Sequence, residues 1–246
     1  MNVSLQDLTF YEILHGSFAL IFVIFSLIIG IKILLKAFHL KRKEYVTVGL
    51  ALIFLTSAWW SVSLSFLLII FFNYAIESVL YVILANMFEP VAIMCWIYSF
   101  CTLAYPQVKK IVFSIYLIIC ILYEVIFTIF LFINPQLIAT QESVFYSHRT
   151  LFALSIHVVE IITALVTGIL FAKASFKSND LKIKWKGRFL LLAFISFSLG
   201  AFFDAVIPRT PLLLVIVRFV LILSVIEYYL GFFLPERLAY WLTKEK

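Results

Sequence analysis

Five carboxylate or guanidinium side chains lie inside long apolar stretches of this chain: Glu89, Glu124, Glu160, Arg218 and Glu227, with His157 close to Glu160. In lipid, each such group costs about 2.5–3.5 kcal/mol at a helix centre, so it faces other protein or water and is a functional candidate by default. His157 and Glu160 are three residues apart, which puts both on one face of a helix. Arg218 keeps its proton and needs an anion, for which Glu89, Glu160 and Asp204 are the candidates. Two chemistries fit. The groups can line a polar pocket for a small ligand, contacted by Glu89, Glu124, His157, Glu160 and Arg218. Alternatively they form a structural ion pair plus neutral carboxyls hydrogen-bonded between helices.

Glu89 precedes Pro90, which removes the backbone bond to the Asn86 carbonyl and kinks its helix. A carboxylate beside a freed carbonyl makes a binding site or a hinge, and we assign Pro90 as the hinge. Trp59-Trp60 is surrounded by Thr56, Ser57, Ser61, Ser63 and Ser65. Small hydroxylated residues let helices approach closely, so this reads as a packing seam, with an aromatic pocket wall as the other reading. His15 reads as interfacial, and Glu227, beside Tyr228 and Tyr229, as a hydrogen-bonded structural carboxyl.

Enzyme chemistry finds little support. A metal site needs three or four ligands in a set geometry. Of the four His, only His157 lies well inside an apolar stretch. His157 and two carboxylates would have to converge on one point, and we expect no metal, no cofactor and no enzymatic activity. No G-x-S-x-G nucleophile motif is present. The last apolar stretch holds no Lys for a retinal Schiff base. Pro106-Gln107 and Pro135-Gln136 follow consecutive helices and read as loop punctuation rather than as the motif of PQ-loop transporters.

The elements that must position these residues are membrane helices. The chain of 246 residues is 65% hydrophobic and 13% charged, with a mean hydropathy of +1.13; soluble domains carry about 25% charged residues. Backbone groups in lipid must be satisfied internally, so apolar runs of about 20 residues read as helices. Seven are expected, at about 13–35, 46–72, 78–104, 111–133, 150–172, 189–207 and 212–234, with a short interfacial helix over 235–246. In that tail Leu238, Trp241 and Leu242 would face lipid, and Lys244 and Lys246 water. On these spans Glu89 lies near the midplane and Glu124 at or slightly outside it. His157, Glu160 and Arg218 fall in the outer half, and Glu227 nearer the cytoplasm. The longest outer loop is 136–147, the longest inner loop 173–188, and Pro208 and Pro211 bracket a tight turn.

Charge supplies the orientation. Of the 19 Lys and Arg residues, 16 fall on one side of this arrangement, two (Arg149 and Arg209) on the other, and Arg218 inside. Short-loop cations stay cytoplasmic, so the N-terminus is placed outside and the C-terminus in the cytoplasm. An even number of spans would put basic clusters on both sides. The net charge of +6 is explained by this bias and does not point to nucleic acid. Cys95, Cys101 and Cys120 fall inside spans, so no disulfide is expected. The segment before span 1 carries Asp7 and Glu12 without a basic stretch and does not read as a signal peptide.

Seven spans, an outside N-terminus, a Trp-rich second span (Trp59, Trp60), a polar third span with Pro90 and Trp96, and a basic fifth loop together resemble the seven-helix sensor modules of prokaryotic signalling proteins, such as the region ahead of some histidine kinases. That resemblance implies a seven-helix bundle that binds a small ligand and passes the signal inward. About a dozen residues follow span 7 here, so the output would be a separate cytoplasmic protein. The chain lacks the Asp-Arg-Tyr and Asn-Pro-x-x-Tyr motifs of eukaryotic receptors. We therefore expect a multi-pass protein of the cell membrane, in contact with the lipid bilayer, that acts as a receptor-like sensor. Its small-molecule ligand would sit in the outer half, and its basic fifth loop would meet a cytoplasmic partner or anionic lipid. The alternatives are a proton- or cation-coupled carrier using the mid-membrane carboxylates, and a lipid-modifying enzyme, which would require the convergence described above.

Overall fold

The computed structural model describes residues 2–206 and 211–243. The end of span 6 at Ile207, Pro208 and Arg209 of the following turn, and Lys244 and Lys246 of the tail lie outside the described residues. Among the described residues, seven helices are long and apolar enough to cross a membrane. The protein is an all-α bundle of membrane-spanning length.

Helix α1 is Phe10–Leu40. The Thr9 amide and hydroxyl both donate to Glu12 Oε2, at 2.9 and 2.8 Å, while Thr9 Oγ1 accepts from the Glu12 amide. Two amides at the helix start are satisfied reciprocally, so Glu12 is a capping residue rather than a stray outer charge. Lys41, in the left-handed region at φ 51°, turns the chain. The second span is α2 (Lys43–Leu55) and α3 (Trp60–Phe72), joined by the 3₁₀ turn Ser57–Trp59. The third is α4 (Ser78–Asn86) and α5 (Glu89–Ala104), and the fourth is α6 (Lys109–Ile133). Both the second and third spans are thus broken near their middles; Pro90 announces only the second of these breaks.

Helix α1 crosses α2 at a pair of glycines. A Cβ on Gly49 would stand 2.9 Å from the Gly30 carbonyl oxygen, and one on Gly30 would stand 3.2 Å from that of Gly49. Backbone meets backbone there, the close approach that small residues permit between membrane helices. The Trp pair packs as a seam: Trp59 sits edge-on to Phe22 at 5.0 Å, and Trp60 meets Phe54 and Phe88 at 5.9 and 5.3 Å.

The expected loop at 136–147 carries an antiparallel hairpin, β1 (Ala139–Ser143) with β2 (Tyr146–Arg149). Its turn places Phe145, 1% exposed, into a core with Leu8, Val62, Phe66, Ile76 and Tyr81. His15 is buried against the same ring, 6.4 Å away and edge-on.

Helix α7 is Leu151–Phe176 and α8 is Leu181–Val206. The expected long inner loop therefore shrinks to a four-residue turn. A hydropathy window stops where lysines begin, but backbone hydrogen bonding continues through Lys182, Lys184, Lys186 and Arg188 on the first turns of α8. Asp180 stops the turn: its carboxylate accepts from the Lys182 amide at 2.7 Å and its carbonyl from the Lys184 amide at 3.1 Å. Helices α9 (Pro211–Phe232) and α10 (Glu236–Thr243) complete the chain. Trp241 and Tyr240 on α10 are exposed, and the Trp185 indole donates to the Leu242 carbonyl at 3.0 Å.

The chain divides into two compact units, one up to Glu160 and one from Ile161 onward, with the boundary inside α7. In the second unit α8 and α9 pack closely, with Gly200 seated against Leu221 and Gly231 against Leu190.

Candidate functional site

The break in the third span makes the site. Helix α4 ends at Asn86, and α5 resumes at Glu89 with Pro90 in its first turn. Pro90 has no amide to offer the Asn86 carbonyl. A C-terminus and an N-terminus are thereby created inside one span. The first carries a partial negative charge and suits a cation, while the second suits an anion.

Both are occupied accordingly. Arg149, the last residue of β2, reaches the break: Nε donates to Asn86 Oδ1 at 3.1 Å, and Nη2 to the Ala85 carbonyl at 3.2 Å and to Glu89 Oε1 at 3.3 Å. The Asn86 amide is held in turn by the Val82 carbonyl at 2.8 Å. Glu89, with no solvent exposure, sits at the start of α5 and also meets His157 Nδ1 at 3.2 Å. His157 lies 3.6 Å from Glu160 Oε2 on its own helix face, as the i, i+3 spacing predicts. Glu89, His157 and Glu160 each bring one ligand-type atom within 4.8 Å of the others, and all three are buried.

The cluster has more acceptors than donors. Glu89 Oε2 and both Glu160 carboxylate oxygens are buried without a hydrogen bond. So is the Tyr123 hydroxyl, which lies within electrostatic reach of Glu89, Arg149 and Glu160. Buried polar atoms are nearly always satisfied, so orphaned ones ask for a donor, a proton or a cation. Holding two carboxylates out of water costs several kcal/mol per ion unless the charges are compensated. Here Arg149 and the imidazole are the only compensating groups in contact with the two carboxylates among the described residues.

Of the five residues expected to bind ligand, the structure brings together Glu89, His157 and Glu160. Arg218 belongs to the second unit, where Nη2 pairs with Asp204 at 3.1 Å; of its three candidate anions, Asp204 is the one in contact. The cation on Glu89 is Arg149. Glu124 lies instead in a lateral groove of about 670 Å³ between α5 and α6, with Pro90, Met94, Cys95, Cys120 and Ile121 among its walls. One residue earlier on α6, Tyr123 takes the place beside the cluster. Glu227 meets Ser196 in the second unit, in keeping with a structural carboxyl.

Arg149 and Tyr123 are the residues that sequence reasoning missed. Arg149 lies one residue before the expected start of span 5 and reads as an outer-loop charge. Its place beside the cluster follows from the hairpin over 139–149, for which the sequence carries no signal of its own. Comparison with protein-family models, with curated proteins and with solved structures gave no match.

Proposed function

We propose that this protein is a receptor-like membrane sensor that binds a small ligand at the Glu89–His157–Glu160 cluster and signals to a separate cytoplasmic partner. The observation that carries the reading is the convergence of these three buried groups, with orphaned carboxylate oxygens, at the break of a membrane helix. Those oxygens select a ligand that brings positive charge or hydrogen-bond donors. Arg149 clamps the Ala85 carbonyl, the Asn86 side-chain oxygen and Glu89 together. A ligand that takes a Glu89 oxygen competes with that clamp and lets α4 and α5 change their angle, a two-state element biased by differential binding. The signal would leave through the basic segment 173–188, toward a partner protein or anionic lipid at the cytoplasmic face of the cell membrane.

The test is thermal unfolding of the purified chain in detergent against small amines and inorganic cations. A ligand at 100 times its Kd stabilises by about 2.7 kcal/mol. That shift is expected in the wild type and absent in Glu89→Gln and Glu160→Gln. A shift that both variants retain places the ligand elsewhere and sinks the reading.

A second reading, the proton- or cation-coupled carrier, is favoured by one observation: the second and third spans are both discontinuous, as in carriers whose half-helices flank an ion site. Proton or sodium flux in proteoliposomes, lost in Glu89→Gln, would establish the carrier and displace the sensor.

A further inference from the structure

We propose that Glu89, His157 and Glu160 form a transition-metal site that takes Zn²⁺, leaving a fourth position for water or a small ligand. This deepens, and rests on, the reading of the cluster as a binding site.

The geometry comes first. Zinc holds imidazole nitrogen and carboxylate oxygen at about 2.0–2.2 Å, so adjacent ligands of a tetrahedron stand about 3.3–3.6 Å apart. His157 Nδ1 lies 3.2 Å from Glu89 Oε1 and 3.6 Å from Glu160 Oε2. Two edges of the tetrahedron are therefore already near their final length. The third closes by rotation of the Glu160 carboxylate, neither of whose oxygens has a hydrogen bond to break.

The donor set selects the ion. Imidazole suits zinc and its neighbours, whereas magnesium and calcium take oxygen alone. Two carboxylates balance the dication. Arg149 keeps the Ala85 carbonyl and Asn86 Oδ1 at the negative end of α4, and its bond to Glu89 Oε1 fixes that carboxylate's orientation. Hydrogen bonds of this kind to a ligating group are worth 10–100-fold in metal affinity. Three protein ligands and an open fourth position are the form of a zinc site that engages a further molecule, whereas purely structural zinc is closed by four. Binding displaces any proton on Nδ1, so uptake is accompanied by proton release and weakens as pH falls. The residues expected from sequence to hold an organic ligand would then present it with a metal ion.

The test is calorimetric titration of the full chain, purified in detergent and stripped with a chelator, with Zn²⁺ and separately with Mg²⁺. One zinc per chain and no magnesium is the expected result. Glu160→Gln and His157→Gln each lose at least tenfold in affinity, and Arg149→Lys loses less. His148→Gln, on the exposed hairpin, changes nothing. Absence of zinc binding, or equal binding by wild type and both ligand variants, overturns the site. Because a variant may fail to fold, zinc-edge X-ray absorption on the loaded wild type is a second arm. One imidazole among oxygen ligands supports the site, and a sulfur shell from the cysteines overturns it. The sensor reading fails separately. Stabilisation by an amine that survives chelation, with no zinc bound in the titration, keeps the sensor and sinks the metal. Zinc bound at this site without any change in partner signalling keeps the metal and sinks the sensor.

Discussion

Removing Arg149 would leave Glu89 fully buried against a single imidazole and would free the Ala85 and Asn86 oxygens at the helix break. Breaking a buried pair from one side costs about 3–5 kcal/mol, and because Arg149 is 20% exposed the lower end applies. Arg149→Ala is therefore expected to unfold well below the wild type in a thermal melt in detergent. Arg149→Lys should recover little, since an ammonium cannot reproduce the planar fork that spans three acceptors. An Ala variant that melts with the wild type would show that the clamp contributes nothing. A milder effect is expected at Asp7, outside the spans. Its carboxylate accepts from the Ser4 amide at 2.8 Å and the Ser4 hydroxyl at 2.7 Å, which lowers its pKa from the usual 3.8. A depressed pKa contributes stability that is present above the ordinary value and lost as pH falls through the folded one. NMR titration should place Asp7 below 3.8, held there first by the Ser4 amide and then by its hydroxyl, and Ser4→Ala, which keeps the amide, should move it part of the way back; an unmoved titration removes the hydroxyl bond as a cause. At this scale the acid and base partners were legible because a charge in lipid must have a reason. Their clamp was not, because a cation one residue outside a span is already explained by topology.

Elements carry these side chains to one another, and the hairpin does so through one ring. Phe145, 1% exposed, packs edge-on against Phe66 at 6.0 Å and His15 at 6.4 Å, and so anchors the turn from which β2 leads to Arg149. Phe145→Ala should cost about 3–5 kcal/mol through the cavity it leaves. It should also raise hydrogen exchange at the β2 amides and at the break between α4 and α5 together. If the hairpin loosens while the break keeps its protection, the coupling from hairpin to site is absent. The seven helices were legible in sequence because hydropathy reports length directly. The hairpin was not, because a short polar segment between two spans has no apolar stripe to mark it. The break after Leu55 was hidden for the opposite reason: the apolar run continues through it, and Thr56, Ser57 and Ser61 are as compatible with a helix seam as with a 3₁₀ turn. Pro90 alone announced its break, because proline's missing amide is a local fact that tertiary packing does not override.

At the scale of the whole molecule, sidedness decides what the site can meet. The hairpin that delivers Arg149 lies between α6 and α7, while the lysines of α8 follow the turn after α7. Every span added or removed would exchange the sides of all later charges, so an arrangement with 16 of 19 cations on one side is a collective signal that no single loop provides. Short-loop Lys and Arg resist translocation, so the orientation expected from charge would have the α8 lysines inside and the hairpin outside. The ligand or metal would then arrive from outside, and the partner would be cytoplasmic. With Cys95, Cys101 and Cys120 replaced by serine, Thr140→Cys on the hairpin and Asn179→Cys in the α7–α8 turn report the two sides, both positions being exposed. A membrane-impermeant maleimide added to intact cells should label Thr140→Cys alone, and Asn179→Cys only after permeabilisation. The reverse pattern would overturn the expected orientation, put the hairpin on the cytoplasmic side, and require the proposed sensor to read the cell's own interior.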